Sequence, residues 1–228
     1  MSTASTLIDR RLAVGQFQCN CRILVDRESG EGLVVDPGDD ASDILSELRS
    51  IEKEIQKPLQ IKYLLHTHGH LDHIGATRAV KEAALGESRI ALHRADEDLY
   101  LQINMQGRMF AQVYDEPLPV QEYLEHEQEL KVGRMKLSVI HVPGHSPGSV
   151  GFRLHGDSSL SLPETLFSGD TLFRDSVGRT DLWGADGDLM FKMIKSRFLT
   201  LDEDTCVCPG HGPDTQIARE KRENPFLI

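Results

Sequence analysis

Five histidines and two aspartates occur along the 228-residue chain in one order: His68-x-His70-x-Asp72-His73, then His145, Asp170 and His211, each within a short glycine-containing phrase. For these residues to act together, loops far apart in sequence must arrive at one place. Strands that end at a common sheet edge achieve this, because each delivers its loop to the same rim and holds it rigidly. A short strand-like run stands ahead of each phrase: residues 61–65 before the first, 136–140 before His145, 164–167 before Asp170 and 205–208 before His211. The pattern selects a sheet-based α/β fold with one functional edge.

The first residues read as a hairpin, with strands at 17–25 and 33–35 and Asp36-Pro37-Gly38 as the turn that stops the second. Residues 43–55 place Ile44, Leu45, Leu48, Ile51 and Ile55 on one stripe ahead of Pro58, the pattern of an amphipathic helix lying on a sheet. The periodicity predicts further helices over 75–85 and 95–110, with a strand at 90–92 between them. Beyond an acidic segment at 122–129 the chain becomes strand-rich, at 136–140, 149–154 and 164–167. A helix over 188–199 and a strand at 205–208 follow, and 155–161 reads as a surface turn. No internal repeat, low-complexity tract or linker divides the chain, so a single domain over residues 1–228 is expected.

Composition narrows the function classes. Hydrophobic residues make up 39% and charged residues 27%, and no stretch approaches the roughly 18 apolar residues of a membrane span. The N-terminal residues lack a basic region followed by an apolar run, so no secretory signal is read and the cytoplasm is the expected location. A formal net charge of −11 repels polyanions at long range, which argues against nucleic acid and anionic lipid as partners. The four cysteines stand as Cys19-x-Cys21 and Cys206-x-Cys208, each pair on one face of a strand. Small buried apolar residues are their commoner use, and a four-thiolate zinc site is the alternative.

In His68-Gly-His70, residues two apart in an extended loop point the same way, so two imidazoles can grip one ion. His145, in Pro143-Gly-His-Ser-Pro-Gly148, supplies a third nitrogen. Asp72 and His73, after the chain turns, form a second and more oxygen-containing set with His211, in Pro209-Gly-His-Gly-Pro213. Asp170, in Ser168-Gly-Asp-Thr171, is the natural bridge, since one carboxylate has two oxygens and paired ions stand about 3.5–4 Å apart. A lone histidine in a loop is usually a hydrogen-bonded structural residue, and His66, His93, His126, His141 and His155 are read that way. Of these, His66 and His141 lie near enough to the ligand phrases to hydrogen-bond a ligand.

Thr67-His-Gly-His-Leu-Asp-His73, Pro143-Gly-His145, Gly169-Asp170 and Pro209-Gly-His211 resemble the metal-binding motifs of the metallo-β-lactamase-fold hydrolases. The resemblance spans nearly the whole chain, from Asp36-Pro-Gly38 to Asn224-Pro-Phe226, and implies an αββα sandwich of two mixed β-sheets flanked by helices, with the metals at one edge. An Asp at position 170 departs from zinc β-lactamases of the common type. The phrases Gly169-Asp-Thr-Leu-Phe173 and Gly178-Arg-Thr-Asp181 are similar instead to glyoxalase II and its short relatives, the hydroxyacylglutathione hydrolase-like group. Glyoxalase II proper carries a helical C-terminal domain that helps bind glutathione. Only a short segment follows His211 here, so the expectation is either a substrate other than the glutathione thioester or a binding site for it on other loops.

By this resemblance His68, His70 and His145 would hold the first divalent ion, Asp72, His73 and His211 the second, and Asp170 both. Asp72 and Asp170 would double as the catalytic carboxylates. Zinc is the expected metal, with iron or manganese chemically allowed by the same donors. A bridging hydroxide would attack a small-molecule thioester or ester, and a thiol with a pKa of about 8.5 departs without a strong general acid. Arg179 is the expected anion contact for the substrate, against a structural ion pair with Asp181 or Asp175. Arg219, Lys221 and Arg222 could also meet a substrate carboxylate, although a solvated helix face is the commoner explanation. A different class shares the fold and phrases: a mononuclear iron persulfide dioxygenase, using His68, His70 or its equivalent, His145 and Asp170. A non-catalytic binding domain is the remote third reading. Oligomeric state is left open by the sequence.

Overall fold

The computed structural model describes residues 6–83, 86–160 and 162–228. Three antiparallel strands open the chain, β1 (Leu7–Val14), β2 (Cys19–Asp26) and β3 (Glu31–Val35). The helix α1 (Ala41–Ile55) then crosses over to β4 (Gln60–Leu65), which pairs parallel to β3. Two short helices, α2 (Leu71–Ile74) and α3 (Thr77–Glu82), precede β5 (Arg89–His93). Next come α4 (Glu97–Leu101), α5 (Ile103–Arg108) and β6 (Glu122–Leu124), which closes a mixed sheet in the order β1-β2-β3-β4-β5-β6.

The second sheet gathers β7 (Glu129–Val132), β8 (Met135–His141), β9 (Val150–Leu154) and β10 (Thr165–Gly169). A small hairpin, β11 (Leu172–Phe173) and β12 (Ser176–Val177), leads into α6 (Gly187–Met193), and β13 (Cys206–Pro209), β14 (Thr215–Gln216) and α7 (Ile217–Glu223) end the chain. Its order is β14-β13-β10-β9-β8-β7, antiparallel except for the β10–β13 pair.

Burial sorts the chain into four layers. Leu24, Leu33 and Leu65 of the first sheet pack against Val139, Phe152 and Phe167 of the second. On the outer face of the first sheet, Ile23, Val25 and Val34 meet Ile44, Leu48 and Ile51 of α1, the stripe its periodicity predicts. Ile140, Leu166 and Val207 cover the other outer face against Met190, Ile194 and Phe198. The αββα sandwich with two mixed sheets expected from the motifs is the observed architecture. With both faces of each sheet covered, β2 and β10 are buried at every position.

Several elements differ from expectation. Phe17 and Gln18 lie in the turn that joins β1 to β2, with Gln18 left-handed at φ +54°, so the strand begins at Cys19 and not at residue 17. β1 lacks a sequence signal because, as an edge strand, it exposes polar residues along one face. The helix expected over 75–85 forms as the shorter α3, a separate single turn, α2, begins before it within the histidine phrase itself, and residues 84 and 85 lie outside the described residues. The helix expected over 95–110 breaks at Gln102. The one expected over 188–199 continues past Met193 as a wide π turn, Ile194–Phe198. Residues 155–161 include a short 3-10 turn at Ser158–Leu160, and residue 161 lies outside the described residues. Among the described residues no helix is long and apolar enough to cross a membrane.

Candidate metal centre

Beyond β4 the chain is held by backbone and side-chain bonds from three directions. The His66 amide donates to Ala91 O at 3.0 Å. Thr67 donates its amide to Asp36 Oδ1 at 2.8 Å and its hydroxyl to Asp36 Oδ2 at 2.7 Å. Val150 N donates to Thr67 O at 2.8 Å and so ties the second sheet to the same point. His68 follows in a bend and His70 in extended form, and the single turn of α2 then carries Asp72 and His73. Gln106 of α5 secures that turn, accepting from Leu71 N at 3.0 Å and donating to Gly69 O at 3.1 Å.

All seven residues converge at one edge. His68, His70 and His145 each offer one nitrogen within 4.8 Å of the others, and His70 Nδ1 lies 2.9 Å from His145 Nε2. On the other side, Asp72 Oδ2 stands 3.2 Å from His211 Nε2 and 3.7 Å from His73 Nε2. Asp170 lies between the sets. Its Oδ1 is 3.3 Å from His73 Nε2, and its Oδ2 is 3.5 Å from His211 Nε2 and 3.9 Å from His145 Nε2. Two glycines permit this approach: Gly169 adopts φ +52°, and a Cβ on Gly210 would lie 2.2 Å from Asp170 Oδ1.

The outward ring nitrogens are engaged, which fixes the orientation of the rings. His73 Nδ1 donates to Asp36 Oδ2 at 3.0 Å, His145 Nδ1 to Arg179 O at 2.8 Å and His211 Nδ1 to Phe17 O at 3.0 Å. His68 Nδ1 donates to Thr67 Oγ1 at 3.0 Å. Each arrangement leaves an Nε2 lone pair aimed inward, the way metal-binding imidazoles are oriented by their neighbours. His68 Nε2, His73 Nε2 and Asp170 Oδ1 are all buried without a hydrogen-bond partner. Buried polar atoms are rarely left so, and a set of inward-facing lone pairs suits divalent cations.

The electrostatics divide the cluster: burial opposes the charged form of His73, yet Cys19, Asp170, Asp72 and Asp36 raise it well above its ordinary range, so a proton or another cation is favoured there. Burial pushes the His68 imidazole well below its ordinary range, and burial together with His145 takes His70 down to about 3, so both keep free lone pairs. Burial alone would raise Asp170, but the fields of His73, His211 and His145 outweigh it and hold the carboxylate ionised. At His211, burial opposes the charged form, yet Asp72 and Asp170 prevail and raise its affinity for a proton. Positive charge is favoured where these groups meet.

Some contributors carry no motif. Asp36, read from sequence only as part of a turn, is buried, adopts φ +51° and binds both Thr67 and His73. Asp96, fully buried, accepts from Gly69 N at 2.9 Å, Ser146 Oγ at 2.6 Å and Gly148 N at 2.6 Å, and so clasps the His68–His70 segment to the His145 loop. Burial raises its carboxyl against those three bonds. Cys19 Sγ lies 3.6 Å from His73 Nδ1, within a possible donor group with His73 and His211. The four cysteines do not meet: Cys19 and Cys21 face the α1 side of the first sheet, whereas Cys206 and Cys208 face the inter-sheet core with their sulfurs 4.0 Å apart.

Arg179 lies at the cavity, but its guanidinium is paired with Asp181 at 2.7 and 2.8 Å. His66 hydrogen-bonds Thr77 Oγ1 and His141 donates to Pro147 O, so neither bonds a ligand imidazole or carboxylate directly. Arg219 pairs with Asp175 and Glu223 and Lys221 with Glu203, while Arg222 is exposed, the solvated face of α7. A cavity of about 620 Å³ opens above Asp72, His145, Asp170 and His211.

Comparison with known proteins gives a consistent result. The profile of the Metallo-beta-lactamase superfamily matches residues 14–211. Hydroxyacylglutathione hydrolase GloC of Haemophilus influenzae is 32% identical over 217 residues, covering 95% of this chain and 96% of that protein. Among solved structures, BLEG-1, a B3 metallo-beta-lactamase, superposes with a TM-score of 0.84 at 34% identity, covering 97% of this chain and 100% of the other. TTHA1623, solved in a di-iron-bound form, gives 0.80 at 37% identity, covering 96% and 100%.

Proposed function

This chain belongs to the metallo-beta-lactamase superfamily, and on that premise we propose that it is a two-metal hydrolase cleaving a thioester of the hydroxyacylglutathione kind. The observation that carries the reading is Asp170, whose carboxylate stands within reach of both donor sets: Oδ1 lies 3.3 Å from His73 Nε2, and Oδ2 lies 3.5 Å from His211 Nε2 and 3.9 Å from His145 Nε2. A mononuclear site would leave Asp72, His73 and His211 without a common ion. The likeness to GloC over almost its full length supports a thioester as substrate.

His68, His70 and His145 would hold one ion, Asp72, His73 and His211 the other, and Asp170 would serve both. Divalent cations there would lower the pKa of a water and polarise a carbonyl, with zinc the first expectation and iron or manganese compatible with the donors. Asp72, held by His211 and lining the cavity, would orient the attacking water through a carboxylate oxygen. Water adds at the carbonyl carbon, a C–O bond forms, the C–S bond breaks, and the departing sulfur takes up the proton. A thiol of pKa about 8.5 leaves readily, so no strong acid beyond these ligands is required.

Metal analysis of natively purified protein, coupled to anaerobic hydrolysis of lactoylglutathione, tests this. About two ions per chain and turnover without oxygen are expected. One iron per chain with oxygen consumed on glutathione persulfide would replace hydrolysis by dioxygenation. Faster turnover of a β-lactam than of any thioester would replace the substrate class.

A further inference from the structure

The cavity above the cluster has walls unlike its floor. Met105, Met109 and Phe110, on α5 and the turn after it, line it together with Leu182 and Trp183, and Phe17 packs edge-on against Phe110 with ring centroids 4.9 Å apart. Met109 is 78% exposed and Trp183 67%, and Met105 and Phe110 are exposed as well. Large apolar side chains gathered at the surface mark a binding site, and methionine adapts to ligands of varied shape.

Charge is missing from the same walls. Among the described residues, Arg179 is the one arginine or lysine lining the cavity, and its Nε–H and Nη2 already donate to Asp181 at the surface. A glutathionyl arm brings two carboxylates and an ammonium. Desolvating such groups against methionine and aromatic surface, on a chain of net charge −11, has no compensation here.

We propose that the substrate carries an uncharged apolar arm beside its scissile thioester or ester, seated between Trp183 and the Met105–Met109–Phe110 wall. This rests on the hydrolase reading and deepens it: among thioesters, those with an uncharged apolar arm are preferred over glutathionyl ones. The base of the wall is anchored by Gln106 to the ligand loop, while its tips reach solvent. An apolar chain entering the cavity is therefore guided to the cluster by a rigid base and an adaptable rim.

Trp183 is the only tryptophan in the chain, so its fluorescence reports occupancy of the wall without any turnover. Metal-loaded protein is titrated with two non-hydrolysable thioethers, S-hexyl-N-acetylcysteamine and S-methylglutathione. The first is expected to saturate the signal at a concentration at least about tenfold lower, the scale of one well-buried apolar side chain. Met109→Glu, at an exposed position, should weaken that binding by about tenfold, whereas Met109→Leu should retain it. In turnover, hexanoyl-N-acetylcysteamine should exceed lactoylglutathione in kcat/KM, and Trp183→Ala should reduce that ratio.

Equal or tighter binding of S-methylglutathione overturns the proposal, as does an unligated Trp183 emission that shifts with protein concentration alongside an increase in particle size, which would make the wall a contact between copies. Saturable binding of the hexyl thioether with no hydrolysis of any thioester or ester would sink the reaction and leave the apolar site standing. Hydrolysis of lactoylglutathione with no apolar preference would do the reverse.

Discussion

Asp170 is held ionised by three imidazoles although it is buried, and two of the three orphaned inward lone pairs around it belong to His68 and His73. Replacing it with Ala removes the group that faces both donor sets. Asp170→Ala is expected to abolish hydrolysis and to lower the metal content measured on the purified protein by at least one ion per chain. Full activity in that variant would remove Asp170 from the centre. Asp36 acts one shell further out, on His73 Nδ1 and both donors of Thr67. Asp36→Asn should weaken metal affinity by about 10–100-fold, read by competition with a chromophoric chelator, because the amide cannot accept at both oxygen positions. The seven ligand candidates were legible because each sits in a phrase of rare composition. Asp36 and Asp96 were not, because their roles lie in contacts with residues 27 to 52 positions away, and a lone aspartate after a strand is common.

Elements position these residues more than they are themselves recognisable. The clasp made by Asp96 joins the loop after β4 to the loop after β8, the two segments that supply His68, His70 and His145. Asp96→Asn exchanges one acceptor oxygen for an amide donor that faces backbone N–H groups. Metal titration by calorimetry should then show one of two sites weakened by about tenfold or more, with the other little changed; equal weakening of both would argue against a local role. Gly210→Ala tests the β13 loop, since the added methyl meets Asp170 Oδ1 and His73 Cε1. A chain that folds, by its circular dichroism, yet retains less than one metal is the expected result. Helix α1 was readable from its stripe of Ile44, Leu48 and Ile51, and the buried strands from their apolar runs. β1 and the break at Gln102 were not, because edge exposure and a local kink leave no periodic trace.

For the molecule as a whole, burying imidazoles in a four-layer sandwich couples stability to pH. His66 is fully enclosed, and burial lowers it from its ordinary 6.5 to about 4. Between those values the unfolded chain binds a proton that the folded chain refuses, so stability falls as pH falls through this window. For this one group the loss near pH 5 is about 2 kcal/mol. Thermal melts of metal-free protein from pH 7 to 4.5 should show a falling midpoint, and His66→Phe should flatten the slope; an unchanged slope would place the titration elsewhere. Sequence alone supplied the seven ligand candidates and the edge they share, because glycine-flanked ligand phrases at strand ends are local signals, and the αββα class followed from the family resemblance those phrases carry. Tertiary structure alone decided that Asp170 faces both halves of the cluster, that Asp36 and Asp96 brace it, that Arg179 pairs with Asp181, and that apolar side chains line the cavity over it. Those facts depend on which distant segments touch, and contact between distant segments is created only when the two sheets pack.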